Sequence, residues 1–100
     1  MSSVLAPYQQ AIEALCRQYH VRRLELFGSV AAGDDRPGES DIDFLVEFEP
    51  SGTSFNAYFG LRRALEDLFN RPVDLVVDSA IKNPYFRRSV DESKVLIYAA

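Results

Sequence analysis

From Asp41 to Phe48 the chain reads Asp-Ile-Asp-Phe-Leu-Val-Glu-Phe, with Ile42, Phe44, Val46 and Phe48 on every second position. A period of two is that of a β-strand with one face buried. The same period turns Asp41 and Asp43 together to the other side. A rise of about 3.3 Å per residue would set their Cα atoms about 6.5 Å apart. Two carboxylates that close repel one another, and they are costly to desolvate unless a cation sits between them. This strand therefore needs core on one side and, on the other, room for a positively charged ligand.

The surrounding pattern supplies elements to cover such a strand. Pro7 to Tyr19 is predicted to be a helix, because Tyr8, Ile12, Leu15, Cys16 and Tyr19 recur at spacings of three and four. Val21 to Phe27 reads as a short strand with Leu24 and Leu26 on one face. Gly28-Ser29 breaks it, and Val30 to Gly33 is expected to form a helical turn. Ser54 is placed to cap a helix running to about Asn70, with Tyr58, Leu61, Leu65 and Leu68 inward. Val73 to Val77 reads as a strand with Val73, Leu75 and Val77 on one face. Asn83-Pro84 opens a short helix near Tyr85 to Val90, and Lys94 to Tyr98 reads as a last strand. Helix and strand thus alternate four times, which argues an α/β sheet covered by helices. The stretches 33–40 and 49–53 read as loops. With no repeat and no linker, residues 1–100 are expected to form one domain.

Composition narrows the functions open to this chain. Its 47% apolar and 26% charged residues are globular values. A net charge of -4 disfavours a large nucleic-acid interface. Cys16 is the one cysteine, so no internal disulfide forms, which suits a reducing cytoplasm. No apolar run approaches the length of a membrane span, and Met1 to Tyr8 has no secretory pattern.

The residues that carry chemistry are few. Mg²⁺ suits Asp41 and Asp43, because it prefers oxygen ligands and is usually held by one or two carboxylates plus substrate phosphates. Two such ions can act together on the attacking oxygen and the leaving pyrophosphate. Asp74 faces away from its strand's apolar row, and it can join the pair if the two strands are neighbours. It could then bind metal and help deprotonate an acceptor hydroxyl. Gly28-Ser29 follows a strand and precedes a turn, where a phosphate can approach the backbone and meet a hydroxyl and free N–H groups. Arg36 on the next loop could meet phosphate charge. Each feature also has an ordinary reading as a strand edge or a turn, and it is their order along the chain that gives them weight. His20 is read as ending the first helix and Cys16 as core. Arg62-Arg63 and Arg87-Arg88 are read as solvated faces, though either pair could touch a nucleotide or an acidic partner. Phe55, Tyr58, Phe59, Tyr85 and Phe86 are read mainly as core, with some left for an exposed patch.

Leu26-Phe27-Gly28-Ser29-Val30-Ala31, followed by Ser40-Asp41-Ile42-Asp43-Phe44-Leu45-Val46 and Pro72-Val73-Asp74-Leu75-Val76, resembles the DNA polymerase beta superfamily of nucleotidyltransferases. Within it the chain is most similar to the minimal nucleotidyltransferases, the MNT group, over roughly Leu5 to Tyr98. The resemblance implies a nucleotidyltransferase fold with a small mixed sheet. It implies that Gly28 and Ser29 bind a triphosphate, that Asp41 and Asp43 bind Mg²⁺, and that Asp74 completes the triad. It further implies transfer of AMP from ATP to a tyrosine of a partner HEPN toxin, with this chain as the antitoxin. There are two departures. Ala32 stands where the family often has Arg, a contact Arg36 could replace, and eleven residues separate Ser29 from Asp41 where many MNT proteins have ten.

The function expected is thus Mg²⁺-dependent nucleotidyl transfer, with a protein partner or a homodimer to complete the acceptor site. Two alternatives stand beside it. One is an antitoxin that neutralises its partner by binding alone. The other is nucleotidyl transfer to a small molecule, for which a chain this short leaves little room for an acceptor domain.

Overall fold

The structure, a computed structural model, describes residues 5–33, 41–50 and 55–100. A 3-10 turn, Ala6–Tyr8, leads into α1 (Gln9–Gln18), then β1 (Val21–Phe27), α2 (Gly28–Ala31), β2 (Ile42–Phe48) and α3 (Phe55–Phe69). β3 (Val73–Val77), a second 3-10 turn (Asp78–Ala80), α4 (Pro84–Ser93) and β4 (Val95–Ala99) complete it. The alternation read from the sequence holds. The expected Ser54 cap and the loop bearing Arg36 lie outside the described residues.

The strands form one mixed sheet in the order β3-β2-β1-β4. β1 runs antiparallel to both β2 and β4, while β2 and β3 are parallel, joined by α3. A parallel pair needs such a crossover, because a tight turn can only reverse the chain.

Strand periodicity divides the sheet into two unlike faces. Leu24, Leu26, Ile42, Phe44, Val46, Val73 and Leu75 are buried on the face that α1 and α3 cover. α1 contributes Ile12 and Cys16, and α3 contributes Ala57, Leu61 and Leu65. Burial pushes the Cys16 thiol up to about 12, with Glu13 adding to the effect, so this cysteine is inert core. The Tyr58 hydroxyl donates to the Leu75 carbonyl at 2.5 Å and fastens α3 to β3. Leu61 has no exposed surface. Leu61→Ala is therefore expected to cost about 2–5 kcal/mol through lost burial and a cavity, read as a lower urea midpoint.

The other face carries a smaller apolar cluster of Phe27, Leu45 and Val90, which seats α4 on the sheet with Val76 and Ile81 at its border. α4 starts where the sequence places it. The Asn83 side chain accepts from the N–H groups of Tyr85 and Phe86, and Pro84 occupies the first turn.

The start of α2 and the exposure of several aromatics differ from expectation, while the end of α1 at His20 agrees with it. α2 begins at Gly28 and not at Val30, because Gly28 takes φ +75° and turns the chain directly out of β1. His20 ends α1 through its backbone, at φ +60°, the left-handed position that follows a helix. Of the aromatics read mainly as core, Phe55 is 76% exposed and Tyr85 83% exposed, and Phe59 and Phe86 are exposed as well. The helical period places Phe55 and Phe59 on the outer row of α3, where they pack on each other with centroids 4.5 Å apart.

Candidate active site

β1 ends, β2 begins and β3 begins at the same end of the sheet. In register, Phe27 of β1 faces Asp43 of β2, and Asp43 faces Asp74 of β3. Residues paired across neighbouring strands share a face, with Cα atoms about 4.8 Å apart. The parallel step between β2 and β3 therefore sets the Asp43 and Asp74 side chains next to each other, on the face opposite the main core. Asp41 lies just before β2, two residues from Asp43, and is exposed. Asp74 is exposed and Asp43 half-buried.

The electrostatics reflect this convergence. Burial, then the neighbouring charge of Asp74, then that of Asp41, raise the Asp43 carboxyl from its ordinary 3.8 to about 6. The ion pairs of this region go elsewhere: Arg87 holds Asp78 at 2.6 Å and Lys94 holds Asp91 at 3.1 Å. Acidic side chains that crowd one another in this way suit a divalent metal. Among the described residues, no group of three or more His, Cys, Asp or Glu is arranged to hold a metal ion. That is compatible with a site in which substrate phosphates complete the Mg²⁺ shell.

Gly28 closes the site from the β1 side. A Cβ placed on Gly28 would overlap the Asp43 carboxylate, and the backbone there is left-handed. Only glycine brings the chain this close to Asp43 without strain. Ser29 follows in the first turn of α2 and is half-buried. The structure thus brings Gly28, Ser29, Asp41, Asp43 and Asp74 to one end of the sheet, whereas Arg36 lies outside the described residues. Of the paired arginines, Arg62 approaches Glu66 at 4.0 Å, Arg87 pairs with Asp78 at 2.6 Å and Arg88 pairs with Glu92 at 3.1 Å.

Two hollows carry none of the clustered aspartates, and one of them, of about 490 Å³, is lined by Arg22, Glu49, Pro50 and Ala100. The other, a groove of about 460 Å³ lined by Tyr19, Phe59, Gly60, Arg63 and Asp67, among others, lies along α3 on the covered face. The chemistry of the carboxylates is the better guide, since an open site for a charged ligand need not be a deep hollow. No helix among the described residues is long and apolar enough to cross a membrane.

Known proteins resemble this chain in sequence and in fold. Residues 9–97 match the family described as the nucleotidyltransferase domain. A protein of Methanocaldococcus jannaschii that carries the name protein adenylyltransferase is 38% identical over 81 residues, covering 80% of each chain. A solved structure named as a minimal nucleotidyltransferase is 34% identical, with a TM-score of 0.77, covering 92% of this chain and 91% of the other. A toxin–antitoxin structure with AMP-PNP has a TM-score of 0.73 at 22% identity, covering 92% of this chain and 73% of that one. A complex of a tri-AMPylated HEPN toxin of Shewanella oneidensis with its MNT antitoxin has a TM-score of 0.62 at 21% identity, covering 92% and 73%. At those last two identities the likeness is one of fold. Since the family match spans nearly all of a chain whose strand ends already gather its acidic residues beside a glycine turn, this chain belongs to the nucleotidyltransferase domain family, as a minimal nucleotidyltransferase of the polymerase-beta-like superfamily.

Proposed function

We propose that this chain is a Mg²⁺-dependent protein adenylyltransferase that moves AMP from ATP onto a tyrosine hydroxyl of a HEPN toxin, and so acts as the antitoxin of the pair. The observation that carries the reading is the in-register pairing of Asp43 with Asp74 beside Gly28. Support for the partner and the donor comes from the fold neighbours, which include a HEPN toxin carrying AMP and a toxin–antitoxin structure with AMP-PNP. The name of the Methanocaldococcus relative supports a protein acceptor.

In this reading Gly28 and Ser29 receive the triphosphate, with Arg36 as a further phosphate contact. Asp41, Asp43 and Asp74 would hold Mg²⁺, two ions in the full site, which would supply positive charge to offset that of the triphosphate. Asp74, an exposed member of the cluster, accepts the proton of the tyrosine hydroxyl. The tyrosine oxygen bonds to the α-phosphorus, the bond to the β-phosphate bridge breaks, and pyrophosphate leaves. Residues 1–100 act as one domain in the cytoplasm, and the partner completes the acceptor site.

Incubation of the chain with its HEPN partner, ATP and Mg²⁺, followed by intact mass measurement, tests the reading. The partner is expected to gain the mass of an adenylyl group on tyrosine. A partner that binds but gains no mass contradicts it, and leaves neutralisation by binding alone. Ala32, where the family often has Arg, is the feature that would favour that outcome.

A further inference from the structure

The amide of Gly28 already has a partner. It donates to the Ser93 hydroxyl oxygen of α4 at 3.3 Å, across 65 residues of sequence. Ser93 Oγ also lies 3.2 Å from the Ser89 carbonyl and 3.4 Å from the Val90 carbonyl. A serine hydroxyl has one proton to give and two lone pairs to receive. The helix carbonyls take the proton, and a lone pair is left for Gly28.

This anchor is itself firmly seated. Val90 is buried against Phe27 and Leu45. Arg87 ties the helix to Asp78 through the carboxylate at 2.6 Å and the carbonyl at 2.8 Å. Lys94, just past the helix, pairs with Asp91 at 3.1 Å and reaches Glu25 of β1 at 4.0 Å. α4 therefore meets the Gly28 turn as a fixed strut.

We propose that Ser93 is a positioning residue for the nucleotide. By holding the Gly28 N–H it sets the plane of the Phe27–Gly28 peptide beside Asp43, and with it the place of Ser29 one residue on. Gly28 then contributes closeness and not a hydrogen bond, and the triphosphate is met by Ser29. The inference rests on Gly28 and Ser29 being the nucleotide turn.

The test uses the full chain labelled with ¹⁵N, in two measurements: exchange of the Gly28 amide without ligand, and titration with a non-hydrolysable ATP analogue plus Mg²⁺. In Ser93→Ala the Gly28 amide is expected to exchange about fivefold faster, and the analogue to bind about fivefold more weakly, the effect of losing one neutral hydrogen bond. Ser93→Thr, which keeps the oxygen, restores both. An unchanged Gly28 exchange rate overturns the proposal. So does faster exchange with unchanged analogue binding, since the bond would then serve the fold alone. Should Ser93→Ala fail to fold, Ser93→Cys keeps the shape with a weaker acceptor and must show the same two losses. Wild-type protein that does not take up the analogue overturns the nucleotide reading itself, and that failure is visible before any Ser93 variant is measured.

Discussion

Asp43→Asn is expected to lower nucleotidyl transfer by on the order of a thousandfold while making the metal-free protein more stable at neutral pH. In the proposed reaction the lost carboxylate would be a metal ligand, and its removal would cost several kcal/mol of charge stabilisation, on the order of a thousandfold in rate. The gain in stability has a separate cause. Asp43 is pushed from an ordinary 3.8 to about 6 by burial, by Asp74 and by Asp41, in that order. The folded chain therefore holds this proton more tightly than the unfolded chain does. Between those two values the unfolded form ionises first, so Asp43 makes the free protein less stable as pH rises from about 4 to about 6. Above that range Asp43 is ionised in both states, and its repulsion with Asp41 and Asp74 remains. Asn keeps the shape without the charge. Thermal melts across pH, without divalent metal, should show the wild type losing stability through this window and the variant losing less. An Asn variant no more stable than wild type at pH 7 would mean that the aspartates do not crowd one another.

Gly28→Ala is expected to damage stability and activity together. The backbone at Gly28 is left-handed, and the new methyl would overlap the Asp43 carboxylate. The left-handed conformation alone costs about 1–2 kcal/mol for a residue with a Cβ. Either Asp43 or the turn must then move, and a displacement of about 1 Å at a reacting centre can lower the rate on the order of a hundredfold. Urea denaturation and initial transfer rates measure the two losses. Ser29→Ala serves as the contrast, since it removes a hydroxyl without crowding Asp43 and should lower activity with little change in stability. A Gly28→Ala protein with wild-type rates would remove the glycine from the account.

Much of this was legible in the sequence because both strand periodicity and turn chemistry are local. β1 and β3 carry the bounds expected of them, and β2 begins one residue later than read. Leu24 and Leu26 are buried as their alternation implies. Asn83-Pro84 marks the start of α4 because its side-chain cap reaches only two and three residues ahead. The adjacency of Asp74 to Asp43 was conditional, since no local rule states which strands are neighbours. It took the order β3-β2-β1-β4 and the parallel step to settle it. The aromatics were harder to read for a related reason. Phe55 and Phe59 are as apolar as Leu61 and Leu65, and only the face that α3 turns to the sheet separates exposed from buried. Ser93 was not legible at all: nothing near it in sequence marks it, and its contact to Gly28 appears once α4 has packed across Phe27.

The proposed convergence of the three aspartates on a divalent cation beneath a triphosphate is tested most directly with Mn²⁺ in place of Mg²⁺. Mn²⁺ broadens the NMR signals of nearby nuclei. With a non-hydrolysable ATP analogue present, the carboxyl signals of Asp41, Asp43 and Asp74 and the amide signals of Gly28 and Ser29 should broaden first, at low Mn²⁺. Broadening that leaves Asp43 and Asp74 sharp, or that gathers instead around Asp67 or Glu92, would contradict it.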